Sequence, residues 1–99
     1  MIDKKSIMVK VRAVASLSDI FGNEAFELLI SKESNLKDIF DRISSDNSRF
    51  SKVIFSEKGS VKPTIMVLLN GKEVSSFDPE KIKIKEGGEI VFIPLIHGG

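Results

Sequence analysis

The apolar residues of this chain have the two-residue period of β-strands in most segments and the spacing of an α-helix in one. Val9, Val11 and Ala13 alternate with their neighbours, which is the pattern of a half-buried strand. One later segment has apolar residues at i, i+3, i+4 and i+7, the spacing of a single helix face: Leu36, Ile39, Phe40 and Ile43. This combination predicts one main helix packed against a sheet.

Five strand-like runs predict that sheet: residues 8–13, 26–30, 64–69, 72–74 and 89–94. The first two runs are close in sequence, which favours an antiparallel pair. Asn70-Gly71 is a strong hairpin signal between the third and fourth runs, because both residues tolerate positive φ. Residues 90–93 are apolar on both faces, as expected of a central strand. The order predicts an α+β fold, a mixed sheet of about five strands around one main helix.

The helix has a clear start signal. Asn35 is a favourable N-cap residue, and Asp38 is well placed near the positive end of the helix dipole. The polar segment 44–62 that follows contains four apolar residues at spacings that fit one extra helical turn: Phe50, Val53, Ile54 and Phe55. We therefore expect this segment to be an excursion within the domain and not a linker.

Length and composition predict one soluble globular domain. Ninety-nine residues suffice for a single core, so residues 1–99 are assigned to one domain, with 95–99 as a flexible tail. The net charge of +1 does not indicate a nucleic-acid partner, and apolar runs are too short for a membrane span. The absence of cysteine fits the reducing cytoplasm, where we expect the protein to be a monomer when alone.

Signatures of catalysis are missing from the sequence. His97 is the only histidine, so a histidine-rich metal site or a Ser-His-Asp triad cannot be built; we interpret it as a spacer in the tail. No Gly-x-x-x-x-Gly-Lys loop is present to bind phosphate. The sequence predicts a protein that is not an enzyme and binds no metal or cofactor itself.

The C-terminal end carries the strongest functional signal. The run 89–94 is followed by three residues and then by Gly98-Gly99. Two residues without Cβ can pass through a narrow channel in another protein, while the preceding strand anchors them. The group that such a tail delivers is the α-carboxylate of Gly99. A frayed terminus is the alternative, but a frayed end does not require two glycines.

Three segments resemble a known family: residues 67–74 (VLLNGKEV), Gly88-Glu89, and residues 90–99 (IVFIPLIHGG). They are similar to the ubiquitin-like β-grasp proteins of the MoaD, ThiS and ubiquitin-related modifier group, which includes the small archaeal modifier proteins. The resemblance extends from Met8 to Gly99. It differs from the molybdopterin synthase small subunit, because Gly88 replaces an aspartate and Leu95 follows Pro94 where a second proline is typical. His97 before the glycines is closer to the ubiquitin-related modifiers.

The resemblance implies a carrier function for Gly99. In this group an E1-like enzyme uses MgATP to adenylate the terminal carboxylate. The activated carbonyl is then joined to a lysine of a target protein or converted to a thiocarboxylate. Two alternatives stay open: a dedicated sulfur-carrying small subunit that serves the large subunit of molybdopterin synthase, and a β-grasp binding module whose tail is never activated.

Strand alternation also predicts a docking surface. If Ile90 and Phe92 point into the core, four apolar residues on adjacent strands point outward: Met66, Leu68, Val91 and Ile93. Apolar patches exposed on small proteins usually mark interfaces. We expect this one to contact the E1-like enzyme.

Overall fold

The computed structural model describes residues 5–95, which form a five-stranded sheet in the order β2-β1-β5-β3-β4. The strands are β1 (Ser6–Ala13), β2 (Phe26–Ser31), β3 (Ile65–Leu69), β4 (Lys72–Glu73) and β5 (Glu89–Pro94). β5 is parallel to β1, whereas the other neighbouring strands are antiparallel. The α-helices are α1 (Leu36–Asp46) and α2 (Ser48–Ile54), and short 3-10 helices cover Ala15–Phe21 and Pro79–Lys81. The predicted α+β fold is confirmed.

Helix α1 begins where the sequence predicts, at a reciprocal cap. The Asn35 side chain accepts a hydrogen bond from the Asp38 backbone N–H at 2.8 Å, and the Asp38 carboxylate accepts one from the Asn35 N–H at 2.9 Å. The predicted apolar face is buried against the sheet: Leu36, Ile39, Phe40 and Ile43. Full burial of such a side chain stabilises the fold by about 1.5–3 kcal/mol. On the exposed side, the Lys37 Nζ atom donates a hydrogen bond to the Asp41 carboxylate, and this bond raises the pKa of Lys37.

The segment after α1 holds a seven-residue helix where one turn was expected, and its Phe50 and Ile54 side chains belong to the core. Asn47 starts α2 by accepting from the Phe50 N–H at 3.0 Å, and its amide donates to the Ile20 carbonyl at 3.1 Å. Phe50 is fully buried and meets Phe92 edge-on at a centroid distance of 5.2 Å. The second helix therefore supplies aromatic side chains that complete the core.

The Asn70-Gly71 turn fixes the start of β5. Both residues have positive φ, +53° and +83°, as the hairpin prediction requires. The Asn70 backbone N–H donates to the Glu89 carbonyl at 2.8 Å, and the Asn70 side chain accepts from the Glu89 N–H at 2.8 Å. A turn that was predicted only to join β3 to β4 thus also aligns the central strand.

Strand β5 has the central position predicted for it. It pairs with β1 on one side and β3 on the other, and Ile90 and Phe92 are fully buried. Beyond Pro94 the Leu95 N–H still donates to the Thr64 carbonyl at 2.8 Å. The sheet therefore holds the chain as far as the last described residue.

Candidate docking surface and tail anchor

The structure brings the four predicted docking residues together on the sheet face opposite the core. Met66 lies opposite Ile93 and Leu68 lies opposite Val91 on the adjacent strands β3 and β5. Their neighbours Val67 and Phe92 point into the core, so alternation turns these four side chains outward. We call the two cross-strand pairs Met66–Ile93 and Leu68–Val91 the outer patch.

The outer patch is less exposed than alternation alone suggests. Val91 is only 6% exposed, although it does not belong to the core cluster, while the other three residues are half-buried. Val91 has a strand neighbour on each side, Arg12 on β1 and Leu68 on β3. A residue in the middle of a sheet is covered by the side chains of both neighbours, so the accessible part of the patch lies on Met66, Leu68 and Ile93.

Charged side chains border the outer patch on the β1 side. The Arg12 Nε atom lies 3.3 Å from a carboxylate oxygen of Glu89, and Lys10 has Glu27 and Glu89 as strand neighbours. Both partners of the Arg12–Glu89 pair are partly exposed, so the pair contributes about 0–1 kcal/mol to stability. The charged side chains of Lys10 and Arg12 on β1 also separate the outer patch from β2.

Sequence reasoning missed an apolar pair on β1 and β2, next to these charged side chains. Met8 on β1 lies opposite Leu29 on β2, and Leu29 is 55% exposed, more than any member of the outer patch. Strand alternation in the sequence could have predicted that Leu29 points outward, because it lies between the core residues Leu28 and Ile30. Leu29 is exposed because β2 lies at the edge of the sheet, and that position follows from the strand order.

The tail leaves the domain next to the outer patch. Leu95, which is 37% exposed, and Met66 both line a cavity of about 430 Å³ at the start of β3. Apolar surface therefore continues from the patch to the root of the tail. The predicted tail residues His97, Gly98 and Gly99 lie outside the described residues, as does most of the segment predicted to be flexible.

Residues 5–95 contain no group of three or more histidine, cysteine, aspartate or glutamate side chains placed to bind a metal ion. Within the same range, no helix has the length and apolar character needed to cross a membrane.

A further cavity lies on the helix side of the sheet. It has a volume of about 470 Å³, and core residues such as Phe40 and Val67 form its floor while Ser75, Phe77 and Asp78 lie at its rim. Phe77 is 52% exposed. This cavity is the feature that a plain binding module would use.

Comparison with known proteins relates the chain to one family. The family model Urm1 (Ubiquitin related modifier) matches residues 8–99. Ubiquitin-related modifier 1 of Schizosaccharomyces pombe is 31% identical over 97 residues, which cover 92% of this chain and 98% of that protein. Among solved structures, SAMP1 from Haloferax volcanii superimposes with a TM-score of 0.77 at 18% identity, covering 93% of this chain and 99% of that one. Urm1 from Trypanosoma brucei gives a TM-score of 0.74 at 16% identity, covering 98% and 100%.

Proposed function

The chain belongs to the ubiquitin-related modifier family, and we propose that it acts through adenylation of its Gly99 carboxylate by an E1-like partner. Members of this family are modifier and sulfur-carrier proteins and not catalysts. The fold is the ubiquitin-like β-grasp fold that the sequence predicted. The partner supplies the ATP site and the catalytic groups, and this chain supplies the carboxylate.

Activation is needed because a carboxylate at neutral pH is a poor electrophile. A Gly99 oxygen attacks the α-phosphorus of MgATP, the bond to pyrophosphate breaks, and an acyl-adenylate forms. A lysine amine that attacks this carbonyl directly expels AMP, loses a proton and leaves an isopeptide bond. If a thiolate of the partner first displaces AMP to form a thioester, the amine then expels that thiolate instead. Attack by a sulfide-level sulfur donor, such as hydrosulfide, expels AMP in the same way, loses a proton and leaves a thiocarboxylate.

The main support for this proposal is that β5, the strand that leads into the tail, is anchored in the sheet. The strand that leads into the tail is hydrogen-bonded on both sides, and Asn70 fixes its start. A rigid root followed by a short tail limits the volume that Gly99 can sample. A partner that grips the domain therefore also positions the carboxylate, which lowers the entropy lost on docking.

The outer patch is proposed as the main contact with the E1-like enzyme. It is apolar, it lies on the two strands β3 and β5, and it adjoins the tail root at Leu95. Burial of apolar surface here would contribute about 25 cal/mol per Å². Contact at the patch also directs the tail to one side of the domain, toward the enzyme that must receive it.

Both protein tagging and sulfur transfer are proposed as fates of activated Gly99. Leu95 stands where the resemblance to the dedicated synthase subunit would place a second proline. Proline fixes φ and stiffens a chain, whereas leucine leaves the approach to Gly99 free to adapt to acceptors of different shape. This difference favours tagging as a use beside sulfur transfer to a synthase.

Mass spectrometry of the protein from its native cell tests the proposal. A thiocarboxylate is heavier than the carboxylate by the difference between a sulfur and an oxygen atom, and conjugation leaves a Gly-Gly remnant on target lysines. A chain that lacks Gly98-Gly99 is the control, since neither product can form on it. Detection of neither product in any growth condition would favour the non-activated binding module, for which the cavity near Phe77 is the candidate site.

A further inference from the structure

The cavity near Phe77, of about 470 Å³, combines an apolar floor with a polar rim. Its floor consists of four buried side chains from α1, from β3 and from the residue that follows β4: Leu36, Phe40, Val67 and Val74. Among residues 5–95, every buried side-chain nitrogen or oxygen has a hydrogen-bond partner, so the floor has no unpaired polar group that a ligand could satisfy. A ligand in this cavity would therefore place its apolar part on the floor and any charge at the rim.

One side of the rim is a tight turn that follows α2. The Ser56 N–H donates to the Ser60 carbonyl at 2.8 Å, and the Gly59 N–H donates to the Ser56 carbonyl at 2.9 Å. Beneath the turn, Phe55 meets Phe40 edge-on at a centroid distance of 5.1 Å. Backbone hydrogen bonds and core packing thus form this side of the cavity without a ligand.

The opposite side of the rim is the segment that follows β4, and it is fixed at two points. The Val67 N–H donates to the Ser75 Oγ atom at 2.6 Å, which holds the segment to β3. The Asp78 carboxylate accepts from the Glu80 N–H at 3.0 Å, which caps the short 3-10 helix beyond it. Phe77 lies between these two points and is 52% exposed. Because both sides are preformed, little ordering of the protein opposes the binding of a ligand.

The charge at the rim is negative. Within residues 5–95, Asp78 is the only charged residue that lines the cavity. It takes part in none of the ion pairs of this range, whereas three other aspartates are each paired with a cation: Asp19, Asp41 and Asp46. The neighbouring charges do not line the cavity and occur as adjacent residues of opposite sign: Glu57-Lys58 and Glu80-Lys81. Asp78 therefore determines the charge that a ligand meets.

We infer that the cavity near Phe77 binds a small organic amine, with its apolar body against Phe40 and Val67 and its ammonium group at Phe77 and Asp78. The face of a phenylalanine ring attracts a cation, and a carboxylate accepts charge-assisted hydrogen bonds from an ammonium group. An anion of the same shape would be repelled by Asp78. The site lies on the face opposite the outer patch and does not depend on Gly99, so its test is independent of the proposed function.

Phenethylamine, titrated into the full-length ¹⁵N-labelled protein at neutral pH, provides the test. We expect saturable amide shifts at residues 59–61 and 74–78. Phenethyl alcohol has a similar shape without the charge and should bind about fivefold more weakly, because exposed ion pairs and cation–π contacts each contribute modestly. The anion hydrocinnamate should bind more weakly still. Equal binding of amine and alcohol would overturn the ligand class. Shifts absent from these residues, or confined to the cavity at Leu95, would overturn the site.

Asp78→Asn removes the charge and keeps a side chain that can cap the 3-10 helix, because asparagine is as good an N-cap as aspartate. It should reduce the preference for the amine over the alcohol from about fivefold to about twofold. Asp19→Asn is the matched control, since Asp19 does not line the cavity, and it should leave the preference unchanged. A full preference in a folded Asp78→Asn protein contradicts the role assigned to Asp78.

Phe77→Leu tests the aromatic contact. The substitution keeps an apolar side chain at an exposed position, so the fold should be retained. It should weaken binding of the amine by about threefold and binding of the alcohol by less, because only the amine carries the cation that the ring attracts. An equal loss for both ligands would overturn the contact between the ring and the ammonium group.

Further measurements identify the source of the amine. A chain that lacks Gly98-Gly99 should bind phenethylamine as tightly as the full chain, and weaker binding would overturn the independence of the site from the tail. Tighter binding of acetyl-Phe-Lys-amide than of phenethylamine would make side chains of a partner protein the occupant, against a free small molecule. Concentration-dependent shifts of the same amides without any ligand would assign the cavity to a second copy of this chain and would likewise overturn the proposal.

Discussion

Strands β5 and β2 both carry outward-facing aliphatic side chains, yet their surroundings give these side chains different exposure. Val91 on β5 is 6% exposed because β1 and β3 flank it, whereas Leu29 on β2 is 55% exposed because a strand lies on only one side. The inward residues of both strands are buried alike, as Phe92 and Leu28 show. Strand position in the sheet, and not residue type, decides whether an outward apolar side chain is available to a partner.

The largest expected effect is a loss of stability caused by a substitution in the core of the central strand β5. Phe92→Ala removes a fully buried ring that contacts Phe40 and Phe50, and should lower the free energy of unfolding by about 3–5 kcal/mol. The matched substitution at the edge, Leu29→Ala, should change it by about 0.5 kcal/mol or less. Urea denaturation of both variants measures the difference. Similar losses would show that β2 is not the exposed edge described above.

An intermediate effect distinguishes the two outward surfaces. Leu68→Asp places a charge in the outer patch and should weaken binding to the E1-like enzyme by about tenfold or more, since apolar burial is lost and a carboxylate must be desolvated. Leu29→Asp introduces the same charge on β2 and should leave activation of Gly99 nearly unchanged. Adenylation assays with the E1-like enzyme, with folding checked by circular dichroism, compare them. Normal activation of a folded Leu68→Asp protein would contradict the patch assignment.

The smallest expected effect concerns the end of β5. Leu95→Pro should favour sulfur transfer over conjugates if a flexible approach to Gly99 promotes tagging. The substitution also removes the hydrogen bond from the Leu95 N–H to the Thr64 carbonyl, at a cost of about 0.5–1.5 kcal/mol. Leu95→Ala keeps that N–H and serves as the control. The ratio of lysine remnants to thiocarboxylate in cells is the measurement, and an unchanged ratio would remove flexibility as the explanation.

Local chemistry predicted the elements well. Asn35 and Asp38 form the reciprocal cap that their spacing suggested, and Asn70-Gly71 adopts the positive φ values that the hairpin needs. These features depend on residues within a few positions of each other, so sequence contains the necessary information. The length of the second helix was underestimated, because residues 48–54 contain only two of its buried side chains, Phe50 and Ile54, too few to define a helix face from sequence, and the packing of Phe50 against Phe92 is a tertiary contact.

The sequence by itself determined which side chains alternate outward and that a strand leads into Gly98-Gly99, because both follow from the two-residue period and the order of the chain. Only the tertiary structure decided that β5 lies between β1 and β3, that Val91 is covered, and that Leu29 lies at an open edge beside a groove. Strand order joins residues far apart in sequence, such as Arg12 and Val91, and a periodic pattern contains no information about which strands become neighbours.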